Sequence, residues 1–279
     1  MSIKKYIPNT ITCGNLLCGC LAIIKIFEGD LLWASYLVII AAVLDFFDGF
    51  AARMLKVSSP IGKDLDSLAD MVTFGIVPAM IMFKLIDVSC LLAFMKSKAA
   101  GGDASGLWSE YSRQNLVKFA GLLIAIFSAL RLAKFNNDTR QSDSFIGVPT
   151  PANTIFVIGL PLIFNSLGLN FSDINEVLAK EEMFKADGNV TGMAALFLLT
   201  SPLVLVGISV VLSLLLVSEI PLLALKFKNF SWKDNKVRFI FLLLTIVLVA
   251  LLKVVAVPLI IVLYILVSIV NNMLNKANA

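Results

Sequence analysis

The sequence of 279 residues contains no histidine. Histidine is the side chain that most often serves as a general base near neutral pH and as a ligand of zinc. Its absence excludes every Ser-His nucleophilic site and removes the usual ligand of catalytic zinc. Any acid–base chemistry in this protein would therefore be carried out by carboxylates, or less readily by lysine.

The sequence is also poor in charge, since 15% of its residues are charged and 59% are hydrophobic. A soluble domain of this length carries more charge, so the composition indicates an integral membrane protein. No small-residue cleavage pattern follows the first residues, and we interpret the first apolar run as a retained helix and not as a signal peptide. The net charge of +4 is small and predicts no nucleic-acid partner.

Cysteine is scarce as well. Cys13, Cys18 and Cys20 lie in the first apolar segment and Cys90 lies in the third. Their spacing is not that of a zinc site, and we interpret them as small packing residues.

The apolar runs predict an all-α polytopic membrane protein. Because a span needs about 20 apolar residues, the sequence predicts about eight transmembrane helices. We expect one integral membrane domain, residues 1–279, with a core of about 1–217 and additional C-terminal helices in about 218–279. The predicted helices cover residues 10–28, 31–54, 67–95, 115–135, 150–169, 192–217, 237–252 and 254–273.

The positions of lysine and arginine predict the orientation, because cytoplasmic loops carry an excess of both. With the N-terminus inside, most of them lie in cytoplasmic segments. We therefore expect a multi-pass protein of the cell (inner, cytoplasmic) membrane with both chain ends in the cytoplasm. The cytoplasmic segments would hold Lys4, Lys5, Arg53, Lys56, Lys63, Arg131, Lys134, Arg140, Lys226, Lys228, Lys233, Lys236, Arg238 and Lys276.

Aspartate is concentrated in residues 43–75, "VLDFFDGFAARMLKVSSPIGKDLDSLADMVTFG". Asp45 and Asp48 are three positions apart and Asp66 and Asp70 four, so each pair lies on one face of a helix. The segment between the pairs carries helix breakers and predicts a turn. We therefore expect two neighbouring helices to present four carboxylates to each other at the cytoplasmic boundary of the membrane.

Four carboxylates this close require a positive partner, since each costs about 3 kcal/mol at the centre of a bilayer. Divalent cations such as Mg²⁺ prefer oxygen ligands and need no histidine. Two such ions beside a phosphate would stabilise phosphoryl transfer. The alternative is that each pair is a solvated helix cap or an ion-pair partner of Arg53 or Lys63. The density and regularity of the four aspartates favour the metal site.

The aspartate stretch resembles the signature of the CDP-alcohol phosphatidyltransferase family. That signature is D-x-x-D-G-x-x-A-R, about eight residues, then G-x-x-x-D-x-x-x-D, and residues 45–70 match every fixed position. The resemblance implies a dimeric integral membrane enzyme with a six-helix core. In such enzymes the hydroxyl of a small alcohol attacks the β-phosphorus of a CDP-linked lipid in line and displaces CMP, with divalent metal at the aspartates.

The resemblance also implies roles for individual residues. Two ions, Mg²⁺ or Mn²⁺, would be bound by Asp45, Asp48 and Asp66. Asp70 would share in the metal site and act as the base that deprotonates the attacking hydroxyl. The remaining signature residues would form or support the nucleotide pocket. Apart from the resemblance, three polar residues at intervals of three share one face near the start of the first helix and could donate to the diphosphate or the cytidine. These nucleotide-binding candidates are Gly49, Ala52, Arg53, Gly62, Asn9, Thr12 and Asn15, although helix capping explains Asn9 equally well.

Four further stretches resemble the membrane-embedded phosphatidylserine synthases within that family: "IPNTITCGNLLCG", "DLDSLADMVTFGIVPA", "ALRLAKFN" and "FIGVPTPA". The implied substrates are CDP-diacylglycerol and L-serine, and the implied products are phosphatidylserine and CMP. Arg131 and Lys134 are the candidate substrate-binding residues, with Lys134 standing where arginine is typical. Arg131 could bind the serine carboxylate in bidentate fashion, or either side chain could extend to the interface, which we favour for Lys134 and Arg140.

Two alternatives remain open. The first is the same family chemistry with another acceptor, glycerol-3-phosphate or inositol phosphate, which would need more positive charge near the carboxylates. The second is a cation transporter, which also uses carboxylates inside the membrane, although typically near its midplane on a two-sided pathway. The unrelated phosphatidylserine synthases that resemble phospholipase D use histidine nucleophiles, so that covalent route is excluded.

Overall fold

The computed structural model describes residues 6–57, 59–99, 101, 115–137, 145–169, 173–223 and 231–277. Arg140, for which the sequence favours an interface contact, lies outside the described residues. The same holds for four other basic residues of the predicted cytoplasmic segments, Lys4, Lys5, Lys226 and Lys228. The four aspartates and every candidate nucleotide-binding and substrate-binding residue lie within the described residues.

The regular secondary structure of the described chain is helical except for one short strand pair. Helices α1 to α4 are Tyr6–Phe27, Leu31–Leu55, Pro60–Asp70 and Val77–Ala99, and a π-helical segment, Met71–Ile76, joins α3 to α4. A 3₁₀ segment, Asn115–Leu122, leads into α5, Leu123–Asn137, which is followed by β1, Phe145–Ile146, and α6, Thr150–Ser166. Then come α7, Ile174–Ala186, α8, Val190–Thr200, α9, Pro202–Val217, and β2, Pro221–Leu222. The chain ends with α10, Trp232–Leu252, a 3₁₀ turn, Lys253–Val255, and α11, Ala256–Ala277.

The all-α polytopic class is confirmed. By length and composition, five stretches of the described chain can cross a membrane, or six if the bent pair α8 and α9 forms one span. Helices occupy all eight predicted segments, but α6 has only 17 residues, the lower limit of a span. The five stretches are Tyr6–Phe27, Leu31–Leu55, Pro60–Ala99, Leu116–Asn137 and Asn235–Leu274.

Several predicted boundaries differ from the structure. The helix expected to start at residue 67 starts at Pro60, because Ser59 caps it by accepting a hydrogen bond from the Gly62 N–H at 3.0 Å. Gly62 therefore lies in the first helical turn and not in the preceding turn. The predicted single helix 192–217 bends by 72° between α8 and α9, where Pro202 lacks the N–H that would continue the helical ladder.

Two of the connections between the predicted helices contain regular structure. The polar loop 170–191 contains α7, and the loop 218–236 contains β2 and the first turn of α10. Strands β1 and β2 pair antiparallel, with Ile146 opposite Pro221. Sequence patterning could not indicate strands of two residues each, since period-two alternation needs a longer run.

Small residues allow the helices around the aspartates to pack closely. A Cβ atom on Gly19 of α1 would lie 2.5 Å from Thr73 Oγ1, and one on Gly121 would lie 2.6 Å from the Phe83 nitrogen. Close backbone approach at small residues is the usual way in which helices associate in a membrane. The main buried cluster spans α1, α2, α4, α6 and neighbouring helices, and it fixes the elements that carry the site.

The C-terminal helices pack on the connection between α9 and α10. The Tyr264 hydroxyl donates to the Leu223 carbonyl at 2.9 Å, and Ser268 Oγ accepts from the Leu223 N–H at 3.0 Å. Strand β2 in turn pairs with β1. Val148, which lies just before α6, belongs to the same buried cluster as Leu222 of β2 and Tyr264 of α11. The division of the chain into a core and C-terminal additions near residue 217 stays a prediction.

Candidate active site

The aspartates of α2 and α3 come together as the helical spacing predicts. Asp45, Asp48 and Asp66 each offer a carboxylate oxygen, and these three oxygens lie within 4.8 Å of one another. Oxygens on opposite sides of one octahedral Mg²⁺ lie about 4 Å apart. Small side-chain rotations would therefore let the three carboxylates bind one divalent ion.

The turn between α2 and α3 is fixed at both ends. Lys56 ends α2 in the left-handed conformation, with φ 51°, and its N–H donates to the carbonyls of Ala52 and Arg53. The Val57 N–H also donates to the Ala52 carbonyl, at 3.0 Å, and Ser59 caps α3 two residues later. This short, hydrogen-bonded connection brings the end of α2 and the start of α3 side by side with their carboxylates facing each other.

Asp70 completes the group. Its side chain lies in hydrogen-bonding contact with Asp45, a contact that two carboxyl groups tolerate only with a proton or a cation between them. Its Oδ1 atom is buried, and no donor group forms a hydrogen bond to it. Asp70 therefore offers an acceptor atom inside the protein.

No ion pair neutralises these carboxylates within the part of the chain that the structure describes, where every recorded pair lies elsewhere. Arg53 is exposed, and its Nη1 lies 3.7 Å from the place where a Cβ atom of Gly49 would be. The negative charge of the cluster is thus left for a bound cation, which fits the all-oxygen donor set of the four aspartates.

Thr12 holds one of the carboxylates in place. Its Oγ1 lies 2.6 Å from Asp48 Oδ2 and 3.0 Å from the Pro8 carbonyl, and Asp48 is only 6% exposed. The single hydroxyl proton goes to one acceptor at a time, and the contact with the carboxylate is the shorter one. The structure thus places Thr12 as an orienting donor to Asp48 as well as a wall residue of the adjoining cavity.

A cavity of about 260 Å³ opens beside the carboxylates, between the start of α1, the end of α2 and the start of α3. Five of the seven predicted nucleotide-binding residues line it, together with two of the aspartates. Arg53 and Asn15 are not among its lining residues. The cavity is lined by Pro8, Asn9, Thr12, Asp48, Gly49, Ala52, Val57, Ser59, Gly62, Lys63 and Asp66.

Gly62 lies where α1 and α3 approach each other closely. A Cβ atom there would lie 3.0 Å from Ser59 Oγ and 3.1 Å from Asn9 Oδ1, so a larger side chain would displace both polar groups. Sequence reasoning did not assign Ser59 and Lys63 to the pocket. The cap position of Ser59 and the place of Lys63 in the first turn of α3 are the signals that point to them.

The candidate substrate-binding residues of α5 have different surroundings. Arg131 is 5% exposed, its Nε donates to the Val148 carbonyl at 3.4 Å, and its guanidinium group lies 5.6 Å from the centre of the Phe135 ring. Arg131 is thus buried against the start of α6, whereas Lys134 is exposed. The end of α5 also contacts α3, because Asn136 donates to Ser67 Oγ at 2.9 Å.

The π-helical segment directly after Asp70 is held by neighbouring helices. Thr73 donates to the Asn15 carbonyl at 3.3 Å, and Thr154 of α6 donates to the Phe74 carbonyl at 2.9 Å. A π-helical turn inside an α-helix frequently marks a functional site, because it leaves carbonyls outside the regular ladder. Thr154 was missed from sequence, since a buried threonine has no local signature.

Comparison with known proteins finds a matching family and several similar proteins. A family model described as CDP-alcohol phosphatidyltransferase matches residues 5–217. The chain is 32% identical over 162 residues to the CDP-diacylglycerol--serine O-phosphatidyltransferase of Bacillus subtilis (strain 168), covering 58% of this chain and 78% of that protein. It is 31% identical over 160 residues to the protein of the same name from Helicobacter pylori (strain J99), covering 57% and 58%.

An archaeal protein with this name, from Methanocaldococcus jannaschii, is 28% identical over 171 residues, which are 61% of this chain and 68% of that protein. The chain thus spans between about three fifths and four fifths of the length of these relatives. The family model covers most of the chain, including all four aspartates and the residues of the cavity. The chain belongs to the CDP-alcohol phosphatidyltransferase family.

Proposed function

We propose that this protein transfers the phosphatidyl group of CDP-diacylglycerol to L-serine and forms phosphatidylserine and CMP. The observation that carries the proposal is the group of three carboxylate oxygens within 4.8 Å of one another at the edge of a cavity lined by small residues. The names of the relatives and the stretches that resemble phosphatidylserine synthases support serine as the acceptor.

Asp45, Asp48, Asp66 and Asp70 would hold divalent cations, Mg²⁺ or Mn²⁺. Their oxygen-only donor set fits these ions, and so does the unpartnered oxygen of Asp70. When bound, the ions supply charge stabilisation to the diphosphate and to the departing phosphate of CMP. Thr12 would keep Asp48 oriented during this contact, as its hydrogen bond does in the structure.

The cavity would bind the cytidine and diphosphate parts of the donor lipid. Gly49, Ala52 and Gly62 leave room for a flat base and for close contact with the backbone. Asn9 supplies an amide at the opposite wall, and Lys63 supplies a cation for a phosphate oxygen. The exposed Arg53 at the end of α2 would contribute a second positive charge at the mouth of the cavity.

Asp70 would act as the base. Its carboxylate takes the proton of the serine hydroxyl as the hydroxyl oxygen attacks the β-phosphorus of the donor, and the bond from that phosphorus to the oxygen of CMP breaks. CMP leaves with the electron pair of that bond, and the proton stays on Asp70 until water removes it. Attack and departure in line need only positioning and charge stabilisation, which the four aspartates and the cavity provide.

The distribution of lysine and arginine supports a location in the cytoplasmic membrane with the active site facing the cytoplasm. The ends of α2 and α5 and the start of α3, which surround the carboxylates, carry Arg53, Lys63 and Lys134. Membership of the family supports a homodimer. Arg131 and Lys134 would bind the acceptor or the headgroup region of the donor at this side of the membrane.

The test is CMP release from CDP-diacylglycerol by purified protein with Mg²⁺ or Mn²⁺, with L-serine, glycerol-3-phosphate or inositol phosphate offered separately. We expect serine-dependent release that is lost with EDTA and in Asp70→Asn. Asp64→Asn is the matched control, because Asp64 is an exposed aspartate on the same helix outside the cluster. Release only with a phosphorylated acceptor would overturn the serine assignment, and no release with any acceptor would overturn the activity.

A further inference from the structure

Three polar side chains, Asn15, Ser128 and Asn153, are more completely buried than the carboxylates. Six buried side-chain nitrogen and oxygen atoms in the described chain have no hydrogen-bond partner, and they belong to Asn15, Asp70, Ser128 and Asn153. Asn15, Ser128 and Asn153 are fully buried, at 0% exposure. Native proteins pair nearly all buried polar groups, so each exception calls for an explanation such as a bound ligand or water.

Comparable residues elsewhere in the described chain do have partners. The other five buried serines all donate to a carbonyl three or four residues earlier, at 2.7 to 2.9 Å. The buried Asn235 donates to the Ser231 carbonyl and accepts from Arg238. The unpartnered atoms therefore do not reflect a general lack of hydrogen bonds in buried helices. The five serines are Ser35, Ser89, Ser209, Ser213 and Ser268.

The four residues with unpartnered atoms lie on four different helices that meet at one place. Thr73 donates to the backbone carbonyl of Asn15. Thr154, which follows Asn153, donates to the carbonyl of Phe74. A Cβ atom on Gly75 would lie 3.2 Å from Ser128 Cβ. Helices α1, α5 and α6 therefore all contact residues 73–75, one turn after Asp70.

We propose that Ser128 and Asn153 form the binding pocket for the amino-acid part of the acceptor, beside the base Asp70. The amide of Asn153 can accept from an ammonium group and donate to a carboxylate, and the hydroxyl of Ser128 can do either. The amide of Asn15 would complete the polar lining. This inference rests on the proposed function and assigns the acceptor end of that site.

The character of the pocket favours a zwitterion over a phosphorylated acceptor. Two amides and a hydroxyl match one ammonium and one carboxylate, whereas a phosphate dianion would need several cations. Arg131 lies three residues after Ser128 on the same face of α5 and is buried. It adds one positive charge on the side where the serine carboxylate would lie.

The experiment compares matched substitutions in the full-length protein. Asn153→Ala and Ser128→Ala remove unpartnered buried groups, while Asn235→Ala and Ser209→Ala remove buried groups whose hydrogen bonds are complete. The KM for L-serine, the KM for CDP-diacylglycerol and the thermal unfolding midpoint are measured for each variant. Because a hydrogen bond to a charged ligand is lost, we expect the serine KM to rise about ten- to a hundredfold in Asn153→Ala.

The expected pattern separates ligand binding from a structural role. In Ser128→Ala the serine KM should rise while the unfolding midpoint stays the same or rises, because an unsatisfied buried hydroxyl is removed. The KM for CDP-diacylglycerol should stay unchanged in both site variants, and the serine KM should stay unchanged in both controls. This pattern would support the acceptor pocket.

Other outcomes would contradict it. An unchanged serine KM in both site variants, or an equal rise in the KM of both substrates, would overturn the pocket while leaving the proposed function intact. If the unaltered protein uses a phosphorylated acceptor and does not use serine, the proposed function is overturned. The pocket for a zwitterion is then overturned with it.

Discussion

One continuous helical run, Pro60–Ala99, carries carboxylates in two opposite situations. Near its start, Asp66 and Asp70 face two further aspartates and have no ion pair among the described residues. Further along, Asp87 contacts the Nζ atoms of Lys118 at 2.8 Å and Lys84 at 3.8 Å. The same helix thus neutralises one carboxylate with lysine and leaves two without a cation from the chain.

The difference separates a carboxylate that the protein pairs with lysine from carboxylates that it leaves for the proposed metal site. A carboxylate in an apolar region is costly unless it is paired, and Lys118, which also lies 5.2 Å from the centre of the Phe83 ring, provides that pair for Asp87. Under the proposed function the four site aspartates remain without a lysine partner because a lysine at that place would compete with the divalent ions. The comparison therefore predicts opposite effects on stability of removing one charged side chain at the two places.

The largest effect is expected for Asp66→Asn. Loss of one of three converging ligands should lower CMP release by more than about 100-fold and weaken Mn²⁺ binding, measured by titration calorimetry. In EDTA the same variant should unfold at a higher temperature than the unaltered protein, because one of four crowded carboxylates is removed. A variant that loses activity but also becomes less stable in EDTA would contradict the view that these charges are uncompensated without metal.

A smaller effect is expected for Lys118→Met, which leaves Asp87 with the more distant Lys84. The free energy of unfolding should fall by about 1–2 kcal/mol, less than for a completely buried pair, because both side chains are partly exposed. Thermal unfolding in detergent measures the change, and the KM values for both substrates should not change.

The double variant Asp87→Asn with Lys118→Met is the matched control for that pair. It removes both charges together, so most of the lost stability should return. If the double variant were as unstable as Lys118→Met, packing of the lysine side chain, and not its charge, would explain the loss.

The smallest effect concerns Glu181 of α7, which binds Lys96 at the end of α4 and Lys185 in the next turn of its own helix. Burial raises the pKa of Glu181, but the hydrogen bonds from Lys96 and Lys185 outweigh it and leave the pKa below the usual value of 4.5. A lowered pKa in the folded state stabilises the fold above the unfolded value, and that stability is lost as the pH falls through the folded value.

The expected contribution of Glu181 is about 0.5 kcal/mol, as for an ion pair near the surface. Thermal unfolding followed from about pH 6 to about pH 3 should therefore show a slightly smaller loss of stability in Glu181→Gln than in the unaltered protein. Glu182→Gln is the control, since Glu182 is well exposed and pairs only with Lys185 among the described residues. Equal slopes in all three proteins would show that the contact between α4 and α7 contributes nothing measurable.

The sequence predicted the membrane class, the helical segments and the meeting of the four aspartates, because each depends on local patterns. Apolar runs of sufficient length form helices in a membrane, and spacings of three and four place side chains on one face. The bend at Pro202 and the early start of α3 at Pro60 were missed, although proline and the capping Ser59 were visible. Each boundary depends on which of several helix-breaking residues the chain uses to begin or end a helix. Tertiary packing decides between them.

Sequence alone thus determined that a set of acidic side chains would stand together at one end of two neighbouring helices. Only the tertiary structure decided what surrounds them: Thr12 against Asp48 across 36 residues, Arg131 against Val148 across 17, and Thr154 against Phe74 across 80. It also left Ser128 and Asn153 buried without partners. The physical reason is that a helix fixes the direction of its own side chains, while the groups they meet depend on how separate helices pack.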